Sequence, residues 1–228
     1  MYLKFLNSIL LRIKFIYYLI ISLTYKKSNI VLNKNYKNPI IYIGIDESIG
    51  NNINGPTLIK TPDWINKPLG KYYLYFAHHR GDFIRLAYSN DLNGPWLIYK
   101  PGVIPLSEIT LDNHVASPEA YVCHKKKLIY LYYHGSIKGK GQYTKLSISE
   151  DGINFKHENE VLGLPYFRVF YWDKYYYALA MPGQFYRSVN GINNFQIGPK
   201  LFTHRMRHNA VLVRNDVLWV FYTNVYEC

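Results

Sequence analysis

Of the 15 Asp and Glu residues in the chain, Glu119 alone stands clearly inside an apolar strand pattern, SPEAYVC. Burial in such a strand shifts a carboxyl toward general acid or base work, and perturbed buried carboxylates concentrate at functional sites. The plainer reading of Glu119 is a strand-end carboxylate that caps backbone or pairs with Arg168 or Arg207. Imidazoles and guanidinium groups form a second set: His78, His79 and Arg80 in one run, His114, His134, Arg168, and Arg207 followed by His208. Such groups hydrogen-bond hydroxyl-rich ligands and can carry protons. There is no H-E-x-x-H or comparable spacing, so no metal is expected. A phosphate-binding loop, a dinucleotide fingerprint and a nucleophile elbow are also missing, so no cofactor is expected. The other carboxylates have ordinary readings: Asp91, Glu150 and Asp151 suit hairpin turns, Asp173 and Asp216 suit tight strand connections, and Glu158 and Glu160 suit solvated loop.

The elements that would hold these residues repeat. Residues 111–135, LDNHVASPEAYVCHKKKLIYLYYHG, read as a polar lead-in, an apolar strand, a basic turn and an aromatic-rich strand ending in His134. The same grammar recurs four times. An inner strand (54–60, 116–123, 164–170, 208–214) is followed by an aromatic strand (71–78, 128–133, 174–180, 217–222). In the first three units a third strand follows (83–88, 143–148, 185–188). A turn rich in Ser, Asp, Asn and Gly then closes on an aromatic: Trp96, Phe155 or Phe195. Asp and Asn accept tight-turn geometry and Gly accepts positive φ, so these are hairpin signals. The closing aromatic is expected to start an outer strand and pack beneath it. After residue 30 no uninterrupted 3.6-residue period of helix formers appears, so the chain is all-β. Four-stranded units at this spacing describe a β-propeller better than a sandwich.

Composition narrows the function classes. The chain has 228 residues, 24 of them Tyr, and a formal net charge of +12. Tyr suits half-buried strands and offers flat faces to a ligand. The lysines are scattered, with no basic helical stripe and no nucleic-acid motif, so nucleic acid is not the expected partner. Two cysteines make no disulfide framework, and Cys123 reads as a small buried hydrophobe. Residues 1–29 stand apart: Lys4, Arg12 and Lys14 precede the apolar run 15–23, and Lys26-Lys27 follow it. The run is short of the ~20 apolar residues of a bilayer span and lacks an A-x-A-like cleavage site. A signal or uncleaved anchor is the first reading, a membrane-surface amphipathic helix the second, and an incidental extension the plain one. Secretion or membrane contact therefore depends on residues 1–29; otherwise the protein is cytoplasmic. The domain proper is residues 30–228.

Several segments resemble the five-bladed propeller glycosidases of families 43 and 32: GPTLIKTPDWI, KYYLYFAHHRG, IRLAYSNDLNGPW, HVASPEAYV and PYFRVF. They resemble more closely a bacterial group of uncharacterised proteins in that superfamily. The resemblance runs from about residue 40 to the end and implies an active site at one end of the central channel. It implies three carboxylates there: a base or nucleophile from the first blade, an orienting Asp from the second and a Glu acid from a later one. Glu119 falls where the second-blade Asp stands, one methylene longer. The first inner strand, NGPTLIK, has no carboxylate at the family's position, which leaves Asp46 upstream and Asp63 downstream as partners. The third inner strand offers Arg168 and no Glu. Glycoside hydrolysis uses two carboxyl groups, one protonated and one ionised.

The resemblance thus implies a glycoside hydrolase-like protein with Glu119, Asp46 and Asp63 as the catalytic set. His78, His79, Arg80, Asp112, His114, Arg168, Arg207 and His208 would bind a carbohydrate substrate. The alternative is a non-catalytic glycan-binding propeller that lost the carboxylate pair. Trp64, Tyr166, Phe167 and Tyr186 could stack on sugar rings, although packing is the commoner fate of such residues. Five blades need roughly 250–300 residues at ~40–50 per blade, so an incomplete C-terminal end is expected. A strand over 40–45 could pair with the last blade to close the ring.

Overall fold

The computed structural model describes residues 38–202 and 206–224, so the expectation for residues 1–29 lies outside the described residues. Fourteen strands are arranged as three four-stranded antiparallel sheets and one hairpin, with no α-helix among the described residues. The first sheet is β1 (Asn54–Lys60), β2 (Tyr72–Ala77), β3 (Phe83–Ser89) and β4 (Leu97–Pro105). The second is β5 (Ala116–Cys123), β6 (Leu128–Ile137), β7 (Gly141–Ser149) and the short β8 (Lys156–His157). The third is β9 (Arg168–Trp172), β10 (Tyr175–Ala180), β11 (Gln184–Ser188) and β12 (Gln196–Lys200). The hairpin β13 (Met206–Arg214) and β14 (Val217–Asn224) follows. Each sheet is a meander in chain order, and the inner strands β1, β5, β9 and β13 pack side by side. This is the propeller architecture, and the four repeated units match the four described ones.

Burial explains the aromatic strands. β2 and β6 are covered on both faces, so the alternation of a half-exposed strand is lost. Tyr73 and Tyr75 face the second unit and join Ile129, Leu131 and Tyr133 in one core cluster. On the opposite face of β6, Tyr130 and Tyr132 join Val169 and Ala178 of the third unit. Phe170, Tyr177 and Leu179 then meet Val211, Val213 and Leu218 of the hairpin. The core is therefore a series of layers between neighbouring sheets, and large flat side chains fill the wedge between them.

Trp96, Phe155 and Phe195 stand one residue before β4, β8 and β12, as expected from the turn pattern. The last two each meet a tyrosine of the preceding unit. Phe155 meets Tyr75 edge-on at 6.1 Å, and Phe195 meets Tyr132 at 6.3 Å. The same tyrosines donate hydrogen bonds to turn carbonyls of the next unit, Tyr75 to Gly152 at 2.8 Å and Tyr132 to Gly191 at 2.6 Å. The turns are held ready by Asx geometry: Asp151 Oδ1 accepts from the N–H groups of Ile153 and Asn154, and Asn190 Oδ1 from those of Ile192 and Asn193. Gly152 has φ 78°, and a Cβ there would lie 2.7 Å from the Tyr75 hydroxyl. Tyr75→Phe and Tyr132→Phe should each lower stability by about 1 kcal/mol, since each leaves a buried carbonyl without its donor. Equilibrium urea unfolding checks this; an unchanged midpoint for both variants would remove the clasp from the account.

Two expected elements differ. Residues 40–45 form turns rather than a strand: Ile45 N–H donates to Tyr42 C=O, and Gly44 has φ 95°. Ile40, Ile41 and Ile45 pack on the first sheet against Leu74, Phe76 and Trp96. The third inner strand starts at Arg168 instead of Leu164, because Tyr166 has φ 66° and breaks the extended run. Residues 164–166 instead build a wall of a cleft at the inner-strand starts.

Candidate functional site

The inner strands do not begin cleanly. β1 carries a bulge between Asn54 and Thr57, β5 between Ala116 and Glu119, and β13 between Met206 and Asn209. Gly55 at φ 57° and Ser117 at φ 47° supply the left-handed residue in the first two. There the backbones approach so closely that a Cβ on Gly55 would lie 2.7 Å from Ser117 Cα. Bulges re-aim side chains and recur beside active sites. Here they turn Asn54, Ser117, Arg207 and His208 into one cleft of about 1240 Å³ at the starts of the inner strands.

An aromatic and imidazole row crosses this cleft. The rings of His114 and His134 are 6.1 Å apart, His134 and Tyr166 4.2 Å, and Tyr166 and His208 4.8 Å. His114, His134, Tyr166 and His208 all line the cleft, together with His79, Arg80 and Tyr143. Gly135 makes the close approach possible, because a Cβ there would lie 2.1 Å from the His114 carbonyl. Burial lowers the pKa of His114, helped by the charges of His79 and Arg80. Burial likewise lowers His208, with Arg207 and Arg168 acting in the same direction. His134 is the extreme case: burial first, then His114, Arg168, His208 and Arg207, bring it down to about 3. The imidazoles are thus held neutral, each able to donate one hydrogen bond and accept another.

Glu119 lies outside this lining. Its carboxylate is 3.1 Å from the guanidinium of Arg168, with only 16% of the Glu119 side chain and 10% of the Arg168 side chain exposed. Arg168 also donates to Asn209 C=O at 2.9 Å and Pro118 C=O at 3.1 Å, so it ties β5, β9 and β13 together. Burial raises the Glu119 pKa; Arg168, the Val169 N–H and the Thr57 hydroxyl oppose it. Asp46 caps the 3-10 turn Glu47–Ile49, its Oδ1 accepting from Ser48 N–H and Oγ–H, and those bonds lower its pKa. Asp63 is exposed in the turn after β1. Asp112 is exposed, and its backbone N–H donates to Ser136 C=O. His78 sits behind the lining and accepts from the Arg80 N–H at Nδ1. The structure therefore gathers His79, Arg80, His114, Arg207 and His208 in the cleft, and it leaves Glu119, Asp46, Asp63, Asp112, His78 and Arg168 outside it. No carboxylate lines the cleft among the described residues.

Phe167 and Tyr186 pack in the core, and Trp64 donates its indole N–H to Glu150 C=O. Asn54, Ser117, Lys140, Gln142 and Tyr143 line the cleft without having stood out in the sequence. The signal for the first two was a small residue followed by proline at a strand start, Gly55-Pro56 and Ser117-Pro118, which marks a bulge. Lys140 and Gln142 lie where β6 and β7 extend past the expected ends to form a longer hairpin, and Tyr143 is the first residue of the strand expected over 143–148.

No family model matches the chain. An uncharacterized protein of Acanthamoeba polyphaga mimivirus is 30% identical over 210 residues, covering 76% of this chain and 59% of that relative. Among solved structures, an α-L-arabinofuranosidase of family 43 from Clostridium thermocellum superposes with a TM-score of 0.59 at 15% identity. That match covers 76% of this chain and 61% of the other. A family 43 arabinoxylan arabinofuranohydrolase from Bacillus subtilis, in complex with cellotetraose, gives 0.57 at 16% identity over 73% of this chain and 42% of the other. A family 43 enzyme of Xanthomonas citri, complexed with xylose, gives 0.52 at 14% identity over 69% and 60%. The chain thus spans less than two thirds of the length of each of these proteins. The described chain has the β-propeller fold of the family 43 glycoside hydrolases.

Proposed function

We propose that the cleft at the inner-strand starts binds carbohydrate. One observation carries the reading: four bulged or broken strand starts converge on a cleft of about 1240 Å³ lined by neutral imidazoles, amides and hydroxyls. A polyol is recognised by such paired donors and acceptors, and the volume exceeds the ~300–1,000 Å³ of an ordinary small-molecule site. Solved structures of the same fold carry cellotetraose and xylose, which supports a sugar as the ligand class. Tyr143, half-buried in the cleft wall, is the surface on which a sugar ring would lie. Calorimetric titration with xylo- and cello-oligosaccharides and their acidic derivatives tests the reading. Tyr143→Ala is expected to weaken whichever sugar binds by about tenfold. Absence of binding to every oligosaccharide would overturn it.

The lining favours binding without hydrolysis, since two-carboxyl chemistry needs an acid and a base across the scissile bond. A second reading, hydrolysis, rests on Glu119, whose raised pKa suits a general acid. Aryl glycosides offered to wild type and Glu119→Gln decide between them. No turnover by either, with both folded by circular dichroism, supports the binding reading. Turnover that falls with Glu119→Gln would move Glu119 into the mechanism.

A further inference from the structure

Three cations reach the cleft from three separate units. Arg80 comes from the connection between β2 and β3, Lys140 from the turn between β6 and β7, and Arg207 from the bulge of β13. All three are exposed, and none has an ion-pair partner among the described residues. The described ion pairs lie elsewhere, at Lys100–Asp46, His157–Glu108 and Arg168–Glu119. Charges of one sign gathered in a concave site focus their field and raise the local concentration of the opposite sign. The lining also holds two polar atoms with no hydrogen-bond partner among the described residues. One is Nδ1 of His134, a residue 2% exposed; the other is Oδ1 of Asn54, whose amide nitrogen lies 3.3 Å from His79.

These features separate the ligand from a neutral sugar. Neutral hydroxyls would be served by imidazoles and amides alone, and would leave the charged groups of Arg80, Lys140 and Arg207 without a counter-charge among the described lining residues. Guanidinium groups recognise carboxylate and sulfate oxygens through paired, charge-assisted hydrogen bonds. A nucleic acid would need several open aromatic faces for successive bases. Tyr166 is not one, because His134 and His208 flank its ring and it is 7% exposed, which leaves Tyr143 as the one accessible tyrosine among the described lining residues.

Resting on the carbohydrate reading above, we infer that the ligand of this cleft is an acidic glycan, whose carboxylate or sulfate ester is engaged by Arg80, Lys140 and Arg207.

Paired probes test this with the whole chain. Xylotriose and xylotriose bearing a glucuronic acid form one pair; a galactobiose and its sulfated form make the other. The acidic member is expected to bind at least about tenfold tighter, and the advantage should shrink as sodium chloride rises from about 50 to about 500 mM. The uronate and sulfate arms identify which anion is preferred. Arg80→Gln with Arg207→Gln should abolish the advantage. Lys67→Gln with Lys125→Gln, which removes the same charge from exposed positions outside the cleft, should leave it intact. Equal binding of the neutral and acidic members would overturn the acidic inference and leave the carbohydrate reading standing. Failure of every sugar probe would overturn both, and capture of a single-stranded oligonucleotide in that case would reassign the cleft to nucleic acid.

Discussion

Replacing Arg168 with alanine is expected to destabilise the protein by about 3–5 kcal/mol, the range for breaking a buried ion pair. The guanidinium holds Pro118 and Glu119 of β5 and Asn209 of β13 while standing on β9 itself, so three inner strands lose a shared anchor. The two partners are not equivalent. Glu119, whose pKa burial has already raised, can escape the loss of Arg168 by taking a proton. Arg168 has no such exit, because a guanidinium stays charged in any protein setting. Glu119→Ala should therefore cost at least as much as Arg168→Ala. The double variant Glu119→Ala/Arg168→Met should recover part of the loss, since it removes both charges and refills volume. Guanidinium chloride titration of the four proteins measures all of this. A cost below about 1 kcal/mol for both single variants would show that the pair holds nothing together.

Acid should unfold this protein earlier than its carboxylates alone would. His134 titrates near its ordinary 6.5 when the chain is unfolded but at about 3 in the fold. Between those values the unfolded chain binds the extra proton, so stability rises with pH across that window and is complete above about 6.5. Falling from 6.5 to 3 removes roughly 4–5 kcal/mol, at 1.36 kcal/mol per unit. His114 and His208, lowered by burial, act in the same direction and steepen the loss. Arg80, Lys140 and Arg207 stand around the row in the cleft and Arg168 acts on it from outside the lining, while Tyr143, Tyr166 and His79 are its other titratable neighbours. Glu119 works the other way, because its raised pKa means acidification relieves a buried charge. Asp46 and Asp151 are lowered, so their contribution is lost only at the acid end. His134→Gln keeps an uncharged polar side chain and should flatten the stability profile between pH 4 and 6.5. Equal slopes for wild type and variant would exclude His134 as the source.

The repeat was readable because each unit writes its turns in residues with fixed backbone habits. Asp151 and Asn190 do the same job at the same place, and the strands that precede them follow in register. The strand limits for β1 and β5 matched the expected ranges residue for residue. What failed to show was left-handed backbone outside the glycine turns. Tyr166 has a side chain that favours strands, yet its φ of 66° ends the strand and makes a cleft wall. The two bulges hid the site for a related reason. Counting alternation from Ala116 places Glu119 on a regular strand, whereas the bulge between them shifts the register and takes its carboxylate to Arg168. Lys140 and Gln142 stayed hidden because a hairpin that runs past the sheet leaves no mark in composition.

The tyrosine clasps between units point one way along the chain. Tyr75 is donor to a turn 77 residues later, and Tyr132 to one 59 residues later. The first and second sheets thus each carry a finished socket for a plug that emerges later in synthesis. A nascent sheet has its hydroxyl and its wedge of aromatic surface waiting, while the arriving turn is already shaped by its own Asx bonds. The second and third units thus each complete the one before, which would give assembly during synthesis a direction from the first sheet to the third.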